Sequence, residues 1–227
     1  MTPRTVSAPQ RRKPARGKPV ARGSGRVAAR RARNGRRRRW AVVLAALGAG
    51  VVGLVLAMPL FEKAVQELTL PLAYQDVIRE QAADKHLDPA LIAAVIYAET
   101  KFDPRPSAAG AQGPMQLMPA TAEYLAQRSG ATTFRVADLT TPKVNIAYGS
   151  YYLRLLIDHY HGDTMLGLAA YNGGESNVDR WLAQARAHGH RLTIAQIPFP
   201  ETRDYVMRVL SAQHDYRRTY SSQLGYQ

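Results

Sequence analysis

Glu99 is the carboxylate in this 227-residue chain whose setting suggests chemistry. It closes the run DPALIAAVIYAE, in which Ile92, Val95 and Ile96 stand seven, four and three residues before it. At 3.6 residues per turn these share its helix face, so the spacing sets an acid beside apolar side chains. A carboxyl group there is costly to ionise, its pKa rises, and it can deliver a proton near neutral pH. The competing reading is a glutamate at a frayed helix end, turned to solvent. Three further segments combine glycine, amide and phenol groups: Gly113-Pro114-Met115-Gln116, Tyr171-Asn172-Gly173-Gly174 and Glu201-Thr202-Arg203-Asp204-Tyr205. Amides donate to and accept from sugar hydroxyl and acetamido groups, and tyrosine offers a ring face with a hydroxyl at its edge.

Other chemistries are excluded or unsupported. The chain has no cysteine, which rules out thiol nucleophiles, zinc–cysteine sites, disulfides and a lipidated N-terminal cysteine. His159 and His161 are two residues apart, about 200° around a helix, so they do not converge on a metal unless the helix has ended, and no metal or cofactor is expected. No glycine-rich phosphate loop is present.

The elements that must hold these residues read as helices. Tyr74, Val77, Ile78 and Ala82 recur at helical spacing up to Leu87; Asp88 and Pro89 then read as N-cap and first residue of the helix that runs to Thr100. Phe102 to Gly113 is a Pro-, Gly- and Ser-rich loop. Pro119 opens a helix through Gln127 with Gly130 as its stop, and Thr132–Asp138 is weakly strand-like. A long helix from Pro142 to about Tyr160 is expected to bury Val144, Ala147, Tyr148, Tyr151, Leu155 and Ile157. Asp163 caps a short helix ending in AYNGG, Val178–Ala187 forms another, and Glu201–Arg217 is the last. The expectation is a mainly α, single compact helical domain with a substrate groove.

The segments in their order carry a resemblance. Glu99-Thr100, GAQGPMQLMP from Gly110, NIAYGSYYL from Asn145, AYNGG from Ala170 and ETRDY from Glu201 resemble the successive motifs of the soluble lytic transglycosylase domain, a lysozyme-like α+β superfamily that cleaves bacterial peptidoglycan. The match covers roughly residues 73–218. It implies that Glu99 is the single catalytic acid and base, and that Thr100, Met115, Gln116, Tyr171, Asn172, Glu201 and Tyr205 line the glycan groove or hold the catalytic region. Two departures are visible: Thr100 stands where the family usually has Ser, and GPMQ replaces the commoner GLMQ. The implied reaction breaks the β-1,4 bond between N-acetylmuramic acid and N-acetylglucosamine and leaves a 1,6-anhydro end. The alternatives are a hydrolysing, goose-type-like lysozyme, which needs a second carboxylate such as Glu175 or Asp163 across the cleft, and a peptidoglycan-binding module without activity.

The rest of the chain reads as an anchor. Residues 1–39 hold 15 Lys and Arg and no acid, which leaves 16 basic against 17 acidic residues in 40–227, so the net charge of +14 belongs to the tail. Its composition predicts disorder. Residues 40–61 carry no charge, and the 21 from Ala41 to Phe61 would span about 30 Å as a helix, which predicts one transmembrane signal anchor rather than a cleaved leader. Arg36 to Arg39 orient it with the N-terminus cytoplasmic and the domain outside a bacterial inner or plasma membrane. The partners expected are glycan strands, the membrane through 40–61 and anionic lipid at the tail, in preference to nucleic acid, whose binding would reside wholly in 1–39. Residues 62–72 read as a juxtamembrane spacer and 219–227 as a loose C-terminus.

Overall fold

The structure is a computed structural model that describes residues 48–50, 52–58, 61, 65 and 69–226. The basic tail, 1–39, lies outside them. The expected span, 40–61, falls partly outside; its described residues 48–50 and 52–58 are helical and exposed. Among the described residues no helix is long and apolar enough to cross a membrane.

Among the described residues from 69 onward, seven α-helices build the domain: α1 (Gln75–Lys85), α2 (Pro89–Thr100), α3 (Pro119–Ser129), α4 (Pro142–His159), α5 (Thr164–Gly173), α6 (Glu175–Ala187) and α7 (Pro200–Thr219). Short 3-10 turns cover Val136–Thr140 and Ile194–Gln196. No strand is found among the described residues beyond one isolated antiparallel bridge, Gln112 with Leu117. The strand-like reading of Thr132–Asp138 is therefore corrected: the segment ends in the 3-10 turn, fixed by the Asp138 carboxylate accepting from the Arg135 N–H at 2.8 Å.

Helix α2 lies at the centre. Every residue from Ala90 to Ile96 is buried, so the helix is covered on all sides rather than along one stripe. Ala90, Ala93 and Ala94 keep the helix slim, while burial of Leu91, Ile92, Val95 and Ile96 contributes about 1.5–3 kcal/mol each. Its N-cap is the predicted one: the Asp88 carboxylate accepts from the Ala90 N–H at 2.9 Å. The same carboxylate receives Arg217, Gln213 and the Tyr226 hydroxyl, which clamps the end of α7 and the C-terminus onto α2. The C-terminus is accordingly not loose as far as Tyr226, and Leu224 is buried.

Where the chain enters the domain, three phenols of the core hold it by successive carbonyls. Tyr97 donates to Thr69 O at 3.0 Å, Tyr220 to Leu70 O at 2.7 Å and Tyr216 to Pro71 O. Leu70 and Leu72 pack on the core, so the last residues of the expected spacer are part of the domain.

The buried side of α4 also differs from expectation. Asn145, Ile146, Gly149, Ser150, Leu153, Leu156 and Ile157 face inward; Val144, Ala147, Tyr148, Tyr151 and Leu155 are only half-buried. The inward stripe contains an amide, a glycine and a hydroxyl, which apolar periodicity cannot register. The displaced aromatics find other partners: Tyr148 stacks on Phe134 at 4.7 Å, and Tyr151 lies under the Lys85 ammonium.

Candidate active site

Glu99 projects from the last turn of α2 into a pocket of about 410 Å³ that it shares with Thr100, Asp103, Arg105 and Gln116. The helix stops directly behind it: Lys101 caps the end with φ 51°, Phe102 follows with φ 63°, and the Lys101 N–H donates to Tyr97 O at 3.0 Å. Two successive left-handed non-glycine residues cost about 1–2 kcal/mol each. They turn the chain so that the pocket opens beside the carboxyl group. Burial is the main force on Glu99 and raises its pKa to about 7, opposed by the Tyr205 phenol and the Arg208 guanidinium.

Two tyrosines flank the acid in different states. The Tyr171 hydroxyl donates to Met115 O at 2.8 Å. The Tyr205 hydroxyl is buried and within reach of Glu99, but outside ordinary hydrogen-bond geometry to any acceptor. Burial, reinforced by the charge of Glu99, holds both phenols well above the usual tyrosine pKa, so both remain protonated donors. Tyr205 alone of the two has its proton free to meet the carboxylate or a ligand.

The loop opposite the acid is held from below. Asn145, fully buried on α4, accepts from the Met115 N–H and donates to Gln112 O, both at 2.8 Å. Gly113 must be glycine, since φ is 74° and a Cβ would come within 2.2 Å of the Asn145 amide and 2.5 Å of Leu139 O. Met115 is fully buried, and a Cβ on Gly149 would stand 2.5 Å from its Sδ. Its side chain therefore cannot touch a glycan, which corrects its expected place among the groove contacts. What it offers the site is its carbonyl, the anchor of Tyr171. Gln116 has φ 47° and donates its side-chain amide to Arg105 O at 3.1 Å and Gly113 O at 2.9 Å, which leaves Oε1 as an acceptor on the pocket wall.

Thr100 supplies the tie between acid and loop. Its hydroxyl lies 3.0 Å from both Ile96 O and Pro114 O, so its single proton is shared between the helix and the GPMQ turn. Asn172 and Glu201 border a second pocket of about 400 Å³ with Phe199 and Thr202. Thus the structure gathers Glu99, Thr100 and Gln116 around one pocket, sets Tyr171 and Tyr205 against the acid, and puts Asn172 and Glu201 at the other.

Of the carboxylates considered as a second catalytic group, Asp163 is the N-cap of α5, accepting from the Leu166 N–H at 3.1 Å, and Glu175 faces His159 at 3.6 Å. Neither lines the Glu99 pocket. The other acid that does, Asp103, is exposed and ion-paired with Arg105 at 2.7 Å. Sequence reasoning missed Arg208 and the anchoring role of Asn145. Arg208 was signalled by standing three residues after Tyr205, on the same helix face; Asn145 was signalled by being an amide inside an apolar helix.

Residues 76–194 match the Transglycosylase SLT domain family. The soluble lytic murein transglycosylase of Salmonella typhimurium is 31% identical over 154 residues, covering 66% of this chain and 24% of the relative. The membrane-bound lytic murein transglycosylase C of Edwardsiella ictaluri is 27% identical over 168 residues, covering 64% and 46%. In the crystal structure of an inactive mutant of the Pseudomonas aeruginosa lytic transglycosylase Slt, 26% of that chain superposes on 69% of this one with a TM-score of 0.62 and 31% identity. The chain thus spans about a quarter of the length of the soluble relatives it matches.

Proposed function

The chain belongs to the Transglycosylase SLT domain family, and from that premise we propose that it is a lytic transglycosylase that cleaves the β-1,4 bond between N-acetylmuramic acid and N-acetylglucosamine in peptidoglycan. The observation that carries the reading is a single desolvated carboxyl, Glu99, poised to protonate at about pH 7 in a pocket whose other acid is exposed and ion-paired. An ordinary glycosidase needs two carboxylates in distinct roles. Here one group serves in sequence. Protonated Glu99 gives its proton to the glycosidic oxygen as the C1–O bond breaks, and the substrate's own acetamido oxygen stabilises C1. The Glu99 carboxylate then removes the proton from the muramic C6 hydroxyl, whose oxygen bonds to C1 and closes the 1,6-anhydro ring. No water is consumed.

The surroundings support each half of that cycle. Burial favours the neutral acid before bond cleavage; Tyr205 and Arg208 favour the carboxylate that follows. Tyr171, Asn172, Gln116 Oε1 and Glu201 are the proposed groove contacts, while Thr100, Met115 and Asn145 hold the loop and helix in register. Analysis of fragments released from purified sacculi tests the proposal: anhydromuramic ends are expected, reducing ends would mark a hydrolase, and no fragments would mark a binding module. We also infer that residues 40–61 anchor the domain outside the cytoplasm, from their uncharged run beneath four arginines. Membrane fractionation of the full chain and of one lacking 1–61 tests this; equal release of both into the soluble fraction would refute it.

A further inference from the structure

A second cluster of ligating groups lies away from the Glu99 pocket, where α4 ends and α6 begins. His159, the last residue of α4, faces Glu175 and Asp179, which stand one turn apart on the first turns of α6. His159 Nδ1 is 3.6 Å from Glu175 Oε1, and Nε2 is 3.5 Å from Asp179 Oδ1. One donor atom from each of the three residues lies within 4.8 Å of the others. These separations are too long for charge-assisted hydrogen bonds, which close to about 2.8 Å. Only one of the two ring nitrogens can serve a given ion, so the exposed imidazole must turn to close all three donors on it: two donors each about 2.1 Å from a tetrahedral metal stand about 3.4 Å apart.

The groups around the cluster orient it as an outer shell orients metal ligands. The Tyr160 hydroxyl lies 3.1 Å from Asp179 Oδ1 and 3.3 Å from Glu175 O, so its single proton is shared between these two acceptors. The Tyr160 ring also meets the His159 imidazole edge to face at 4.7 Å, which limits its rotation. The nearby Asp158 is compensated by Arg154, which leaves the two α6 carboxylates as the acidic groups facing His159. His159 and Glu175 also form one wall of a pocket of about 410 Å³, with room for water to complete an ion's coordination.

We propose that His159, Glu175 and Asp179 form a zinc site that joins the end of α4 to the start of α6. One imidazole with two carboxylates is a donor set for Zn²⁺; Mg²⁺ and Ca²⁺ prefer oxygen alone. Nothing in the proposal depends on the glycan chemistry of Glu99. Its structural effect would be to fix Glu175 directly after Gly173 and Gly174, the pair that ends the groove segment of α5.

The test is calorimetric titration of the purified, EDTA-stripped full chain with Zn²⁺ at pH 7.5, with thermal unfolding beside it. One equivalent is expected to bind and Tm to rise on the order of 5 °C at a hundredfold excess over Kd, reversed by EDTA. His159→Gln and Asp179→Asn, both at exposed positions, should weaken binding at least about tenfold and abolish the shift in Tm. The His188→Gln/His190→Gln double variant, which removes the other close histidine pair, should keep both effects. A shift that survives His159→Gln, or one lost in the His188/His190 variant, overturns the site. So does wild-type protein that binds no zinc.

Discussion

Replacing Glu99 by Gln should make the protein more stable at pH 8 while abolishing its proposed activity. Burial raises the Glu99 pKa from 4.5 to about 7. Between those values the folded state holds a proton that the unfolded state has released, so the free energy of unfolding falls as pH rises. The cost is absent below pH 4.5, grows through the interval, and is complete above pH 7. At 1.36 kcal/mol per unit over a raise of about 2.5 units, it amounts to about 3 kcal/mol. Glutamine keeps the shape and never ionises. Urea denaturation of wild type and Glu99→Gln at pH 8 and pH 4 reads this directly: the variant should be about 3 kcal/mol more stable at pH 8 and nearly equal at pH 4. A difference independent of pH, or a variant less stable at pH 8, would mean that the carboxylate is not desolvated and that the acid role argued for it lacks its physical basis.

Several other outcomes are expected. Activity on peptidoglycan should decline above about pH 7, since the first step needs the protonated acid, and Tyr205→Phe should move that decline to higher pH by removing a group that favours the carboxylate; a pH–rate profile of each decides it. Asn145→Leu should cost about 2–5 kcal/mol, because the Met115 N–H and Gln112 carbonyl lose their buried partner together; chemical denaturation measures it. Thr100→Ser should keep near wild-type turnover, whereas Thr100→Val, which breaks the bond to Pro114 O, should lower it roughly ten- to a hundredfold through misplacement of the loop. Gly113→Ala should destabilise by at least about 2 kcal/mol, from a Cβ driven into Asn145 and Leu139 at positive φ.

What the sequence made legible were the features with local causes. Asp88-Pro89 marked the start of α2, Pro119 opened α3 and Gly130 closed it although the helix runs to Ser129 rather than Gln127, and Asp163 capped α5, because each boundary rests on a residue acting on its own neighbours. The ordered motifs singled out Glu99, Tyr171 and Tyr205, which stand close enough for the charge of the acid to bear on both phenols. Features decided by distant packing were not legible. The inward face of α4 is set by what Asn145 and Gly149 meet on the loop 30 residues away, not by apolar spacing. Helix α6 begins at Glu175 rather than Val178, since Gly174 closes one helix and opens the next. Met115 is expected beside Gln116 in the groove, yet its side chain belongs to the core. The docked C-terminus depends on Asp88, more than 130 residues earlier, which no local pattern reveals.

The phenols of Tyr97, Tyr216 and Tyr220 have a mechanical consequence. They grip Thr69, Pro71 and Leu70 where the chain enters the domain, so tension on the polypeptide before Thr69 is shared among three hydrogen bonds instead of peeling one residue at a time. One of the three bearing points, Tyr97, lies two residues before Glu99 on the same helix. The grip therefore ties the leading segment to the helix that ends in the acid.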